Sequence, residues 1–361
     1  MRLLIGTNSF SLTPSNCLFT VTYDESGAFG DLKRLDGDFG NPGWMVFSGD
    51  GSLIVGDESA PGRILTLDPT TFQPIKDPVI VGDHPCHVIA HEHLVISSSY
   101  TGGTVNITNT KTNTTTIIDH SAIYAEVWSK FKPSTTDHQD RQESSHPHQC
   151  IMIKGTTFLL VSDLGSSTIT TYDIAPLLST SVSFSSSAPI NLTPLSTLIP
   201  STGPTSGCRH SLFLGTEDVY TVNELNDTIT HSKLSLSSGE LTEVSTINLL
   251  AEDLITRGHH GGAGGICSNN ANDLIYVTVR HTSPGGVVTF KRDESRGVLE
   301  RVSVTESGGD VPRFIGNIKS DIFICNQAGG GKVVKLGLGE GESGAELNVG
   351  AMVTWIGEFK E

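Results

Sequence analysis

Long apolar runs are missing from these 361 residues, and so is any surplus of positive charge. No segment approaches the roughly 20 apolar residues that a membrane-spanning helix needs. The run at Leu3-Leu4-Ile5 is also too short for a secretory signal, so a soluble, cytoplasmic protein is expected. Lys and Arg number 23 against 39 Asp and Glu, a formal net charge of −16. Nucleic acid and anionic membranes both reward basic surfaces, so neither is an expected partner. Any anionic substrate has to be held by a local cationic pocket. Cysteine is scarce as well, with six residues at 17, 86, 150, 208, 267 and 325. Cys86 and Cys208 fall in the same repeated marker of two different repeats, which argues for reduced, buried thiols over a disulfide framework. The Asn-X-Ser/Thr sequons at Asn106, Asn113, Asn191 and Asn226 are then incidental.

What the chain does have is a repeat. Short apolar, often β-branched runs such as Leu53-Ile54-Val55, Leu159-Leu160-Val161 and Ile275-Tyr276-Val277 read as buried strands. Each ends on a comparable triplet, with final residues Asn8, Glu58, Tyr100, Leu164, Glu224, Arg280 and Gln327. These lie 50, 42, 64, 60, 56 and 47 residues apart, which predicts a seven-bladed β-propeller in an all-β chain. A second marker opens the preceding strand, as in Asn41-Pro42-Gly43-Trp44, His84-Pro85-Cys86-His87, His146-Pro147-His148-Gln149, Gly207-Cys208-Arg209-His210, Gly262-Ala263-Gly264-Gly265 and Val311-Pro312-Arg313-Phe314. Six markers for seven strand ends leave one blade without an opening strand. Ala351 to Trp355 can supply it, beside strands near 2 to 7, 17 to 23 and 32 to 35, which leaves no free sheet edge. Residues 1–361 are accordingly expected to form one propeller domain.

Two stretches interrupt the rhythm. Residues 120 to 145 are either a solvated loop or a wall of the site, because they lead directly into His146-Pro147-His148. Residues 179 to 202, rich in Ser, Thr and Pro, read as an outer-strand excursion. His259 and His260 are adjacent, so on an extended chain they point to opposite faces and are poor partners for one metal ion.

In a propeller the innermost strands line a central channel. The residue after each marker proline or its equivalent is Gly43, Cys86, His148, Arg209, Gly264 or Arg313. Together with the strand ends, this register groups His148, Arg209, Glu224, Arg280 and Arg313. A strand that starts on Arg209 and a neighbour that ends on Glu224 are antiparallel, so these two should meet. Folding does not demand ionisable residues here, since other repeats carry Gly, Cys or Leu. Arginines suit carboxylate or phosphate oxygens, and a His/Glu pair suits proton transfer. The structural alternative is an ion-pair network that plugs the channel. His84, His87 and His210 read as hydrogen-bonded structural residues.

Ile5-Gly6-Thr7, Pro85-Cys86-His87-Val88, Tyr100-Thr101-Gly102-Gly103, Arg141-Gln142 before His146-Pro147-His148-Gln149, Asp163-Leu164-Gly165, Arg209-His210, Asn223-Glu224-Leu225, Val311-Pro312-Arg313-Phe314 and Asn326-Gln327 resemble, as an ordered series, the seven-bladed propeller lactonase family. That family includes propeller-type 6-phosphogluconolactonases and fungal 3-carboxymuconate lactonizing enzymes. The resemblance implies a metal-independent, cofactor-free lactone hydrolase with His148, Glu224, Arg209 and Arg280 as catalytic residues. Arg313, Asn326, Tyr100 and Arg141 are expected to bind the substrate, a small lactone or dicarboxylate. One alternative is a lactonizing cycloisomerase that acts on a carboxymuconate. A second is a non-catalytic interaction propeller that works through its rims and outer loops.

Overall fold

The computed structural model describes residues 1–8, 17–131, 140–179, 184, 192–250, 262–280, 284–337 and 344–359. Among them the strands form seven four-stranded antiparallel sheets, the arrangement of a seven-bladed β-propeller. Six follow chain order. Their opening strands are Pro42–Phe47, Pro85–His91, Pro147–Met152, Cys208–Leu214, Ala263–Ser268 and Pro312–Ile318, each beginning within its sequence marker. The seventh combines both ends of the chain, in the order Val353–Phe359, Arg2–Thr7, Leu18–Thr22, Lys33–Arg34. The closing strand starts and ends later than the sequence pattern placed it, and pairs along the whole of Arg2–Thr7.

The chain divides into two compact units, residues 1–44 with 249–361 and residues 45–248. In the 45–248 unit, Leu94–Ser99 and Asp218–Asn223 are buried along their full length. Successive strand residues point to opposite faces, so both faces of these strands are covered. Their apolar runs, Leu94-Val95-Ile96 and Val219-Tyr220, therefore do not alternate with polar residues. Ile96, Val105, Ile107, Leu159, Val161 and Tyr172 pack one pair of neighbouring sheets, and Leu160, Ile169, Val219 and Leu234 pack the next. Each such fully buried side chain contributes about 1.5–3 kcal/mol. In the other unit Tyr276, Val287, Ile315, Ile322 and Ile324 form the equivalent layer. All six cysteines are buried and free.

The feature that positions the site is a recurring β-bulge. Register slips between Pro85 and His87, between Pro147 and Gln149, between Cys208 and His210, and between Pro312 and Phe314. Cys86, His148, Arg209 and Arg313 are thus extra residues opposite a partner strand. A further slip falls between Ala263 and Ile266, and Thr354 takes the bulged place in the shared sheet. A bulged residue leaves the ladder and its side chain is re-aimed, which separates these positions from the strands that carry them. Opposite them, the N–H groups of Tyr100, Leu164, Glu224, Arg280 and Gln327 donate to the carbonyls of His84, His146, Gly207, Gly262 and Val311. The two sequence markers therefore meet at one level in these five sheets.

The 120 to 145 interruption is more than a loop. It opens with an α-helix, Ser121–Lys130, which sequence reading missed because its apolar and polar residues are mixed around the turn. Trp128 donates its indole N–H to the Gly165 carbonyl at 3.2 Å, and Tyr124 its hydroxyl to the Gln142 carbonyl at 2.9 Å. Residues 196–198 supply the outer strand expected of the 179 to 202 stretch. His259 and His260 lie outside the described residues.

Candidate active site

In the 45–248 unit the bulge aims Arg209 at the end of the neighbouring strand. Its Nε lies 2.7 Å from Glu224 Oε2, and both side chains are 2% exposed. The other carboxylate oxygen, Oε1, accepts from Arg141 Nη2, also at 2.7 Å. Arg141 comes from the described end of the 120 to 145 stretch, residues 140–145, which forms a wall of this cluster. Gln142, next along the chain, fixes the wall by donating to the carbonyls of Leu164 at 3.1 Å and Pro204 at 2.9 Å.

Tyr100 is the common neighbour of the acid/base candidates. Its hydroxyl accepts Arg141 Nε–H at 3.0 Å, and the Arg141 guanidinium carbon lies 5.9 Å from its ring centre. The ring stacks on His146 at 4.4 Å and 7°, and meets the His148 ring edge-on at 5.6 Å. Burial pushes the Tyr100 hydroxyl up to about 12 against the opposing pull of Arg141. It therefore stays protonated and neutral at ordinary pH.

His148 is buried, with Nδ1 3.8 Å from the Cys86 sulfur and its ring 5.1 Å from that of His210. His210 supports Arg209. Arg209 Nη1 is 3.4 Å from one imidazole nitrogen and 3.3 Å from the other, so the guanidinium packs over the ring instead of making one directed bond. His87 stands next in the row, 6.0 Å from His210, and burial reinforced by the Arg209 charge lowers it to about 3.

Sequence reading missed the residues beneath this cluster. Asp163, fully buried, accepts from Ser145 Oγ at 2.5 Å, from His146 N–H at 2.8 Å and from Ser166 N–H at 3.0 Å, and pairs with His120 Nδ1 at 3.3 Å. One carboxylate thus ties down both ends of the 120 to 145 stretch. Burial works against its charge, but His120 and the other donors outweigh it and hold the carboxyl below its usual range. His146 carries the effect onward, since its Nδ1 is 2.8 Å from the Tyr100 carbonyl. The available signal was position: the residue before each strand end is polar in Thr7, Asp57, Ser99, Asp163, Asn223 and Asn326.

Asn326 belongs to that buried polar set in the other unit. Its amide oxygen accepts from Ser307 Oγ at 2.8 Å and its nitrogen donates to the Ser307 carbonyl at 3.0 Å. Arg280, in the same unit, donates from Nε to the Gly262 carbonyl at 3.0 Å and from Nη2 to that of Ala263 at 3.1 Å. Arg313 is half-buried at its bulge.

Residues 2–332 match the family described as lactonase, 7-bladed beta-propeller. The "Probable 6-phosphogluconolactonase" of Arthroderma benhamiae is 22% identical over 314 residues, covering 81% of this chain and 72% of that one. Among solved structures, a Lactobacillus plantarum protein has a TM-score of 0.76 at 20% identity, covering 98% of each chain. The Pseudomonas aeruginosa periplasmic gluconolactonase has a TM-score of 0.72 at 19% identity, again covering 98% of each. At such identities the structural likeness speaks for the fold.

Proposed function

This chain belongs to the seven-bladed β-propeller lactonase family, and from that premise we propose that it hydrolyses an anionic sugar lactone, 6-phosphogluconolactone by class, with Glu224 and His148 moving the protons. The observation that carries this reading is the Glu224 carboxylate held between Arg209 and Arg141, beside the Tyr100–His148 contact. Glu224 accepts a proton from water as its oxygen attacks the lactone carbonyl, whose π electrons move onto the carbonyl oxygen. Arg209 faces that developing negative charge. When the intermediate collapses, the ring C–O bond breaks and the departing oxygen takes a proton from His148, leaving a hydroxy acid.

Arg280 and Arg313 are assigned to substrate oxygens by repeat register and by family resemblance. Asn326 is assigned to the substrate by the same resemblance, and its amide also exchanges two hydrogen bonds with Ser307. A muconate-type dicarboxylate would call on the same arginines, and ultraviolet absorbance of a carboxymuconate separates that cycloisomerisation from hydrolysis. No helix among the described residues is long and apolar enough to cross a membrane. Six free, buried thiols fit the proposed cytoplasmic location.

The test is protein treated with chelator and given a lactone panel. Phosphorylated gluconolactone should disappear well ahead of its spontaneous hydrolysis. Loss of every lactone at the spontaneous rate contradicts the proposal.

A further inference from the structure

We infer that Arg141 is an exchangeable counterion of Glu224, which trades the carboxylate for an anionic group on the lactone, so that one contact both recognises the substrate and frees the base. The inference rests on Glu224 being the proton acceptor, as proposed above. Glu224 is flanked by two cations: Oε1 accepts a charge-assisted N–H bond from Arg141 Nη2, and Oε2 lies 2.7 Å from Arg209 Nε in a buried ion pair. Two adjacent cations stabilise the charged form of a carboxylate and so weaken it as a proton acceptor. One guanidinium has to yield before water can be deprotonated.

The two arginines are not equally able to do so. Arg209 is 2% exposed, stands on the bulge of an opening strand and packs over His210. Arg141 is 39% exposed and sits in a turn outside the sheets. The backbone of that turn is pinned by Gln142, so the freedom belongs to the Arg141 side chain. Its Nε stays on the neutral Tyr100 hydroxyl at 3.0 Å, a pivot about which the terminal nitrogens can swing. A phosphate or carboxylate on the substrate offers Arg141 a replacement anion of equal or higher charge, so the exchange costs little. A neutral lactone offers none, and Glu224 remains held. Discrimination therefore enters kcat as well as KM.

Arg141→Met in the full-length protein separates this from a structural role. With neutral glucono-δ-lactone the variant should show kcat raised by about tenfold, because a cation has left the base. With the 6-phosphorylated lactone, kcat/KM should fall by about 10- to 100-fold, the worth of a charged hydrogen bond. A merely damaged site lowers both, so parallel losses, or an unchanged neutral reaction, overturn the inference. A carboxylated lactone run alongside tells the two anionic groups apart by which loses more. Calorimetric binding of 1,5-anhydroglucitol 6-phosphate and of 1,5-anhydroglucitol, which cannot be hydrolysed as lactones, gives a readout independent of turnover. Only the phosphorylated ether should bind more weakly to the variant. Unchanged binding with normal wild-type turnover overturns the exchange alone, whereas a wild type that opens no lactone overturns the function with it.

Discussion

Arg209 Nε and Glu224 Oε2 stand 2.7 Å apart because a β-bulge re-aims the arginine at the end of the neighbouring strand. Both groups are 2% exposed, so neither can turn to water if its partner is lost. Arg209→Met should cost about 3 kcal/mol or more in urea-induced unfolding, since it leaves the buried Glu224 carboxylate to the partly exposed Arg141 as counterion. A loss under about 1 kcal/mol, the range of exposed ion pairs, would place the contact in solvent instead.

Asp163 ties both ends of the Arg141-bearing stretch to one buried carboxylate. Asp163→Asn removes the charge that its donors converge on and should cost about 3 kcal/mol. It should also lower kcat/KM for the phosphorylated lactone more than for the neutral one, because Arg141 loses its placement. Equal kinetic losses on the two substrates would limit Asp163 to stability.

His87 sets an acid limit. Burial and the Arg209 charge depress it to about 3 from an ordinary 6.5. Below pH 6.5 the unfolded chain takes up a proton that the folded chain refuses. Its contribution is therefore intact above that pH and is lost as pH falls toward 3. At pH 5 the loss is about 2 kcal/mol relative to pH 7. The lowered Asp163 carboxyl acts in the same direction, since its stabilisation is also present at higher pH and lost on acidification. His87→Phe should shrink the gap between urea unfolding free energies at pH 7 and pH 5 by about that 2 kcal/mol. An unchanged gap would show that His87 is not the group titrating.

Val311 has a φ of 55°, in the left-handed region where a β-branched residue is strained. The equivalent position in another sheet is Gly207, with φ 71°. Val311→Gly should therefore stabilise the protein by about 0.5–1 kcal/mol, the relief of strain exceeding the entropy glycine loses. A clear fall in thermal midpoint would mean that the Val311 side chain contributes more packing than its backbone costs.

The register was legible in the sequence, because a Pro, Cys or Ala recurs one step before Cys86, His148, Arg209, Gly264 or Arg313 without any contact being known. That these positions are bulges was not legible, since an extra residue opposite a partner strand shows only in the pairing. The Arg209–Glu224 contact followed from antiparallel adjacency alone. Arg141 could be recognised only as part of a motif, because it reaches Glu224 from 83 residues away and adjacency rules say nothing at that distance. Asp163 was hidden for a different reason. It occupies a position that is polar in most repeats, and only the donors from residues 120, 145 and 146 distinguish it from Asn223 or Asn326.

Glu224→Gln tests the proposed function most directly, because it removes the proton acceptor while nearly preserving shape. Leaving Arg209 and Arg141 on a neutral amide costs stability, so kcat has to be read well below the variant's own melting temperature, with folding checked by circular dichroism. Hydrolysis through Glu224 predicts a folded variant whose kcat on the phosphorylated lactone falls by about 100-fold or more. Near wild-type kcat in a folded Glu224→Gln protein would contradict it.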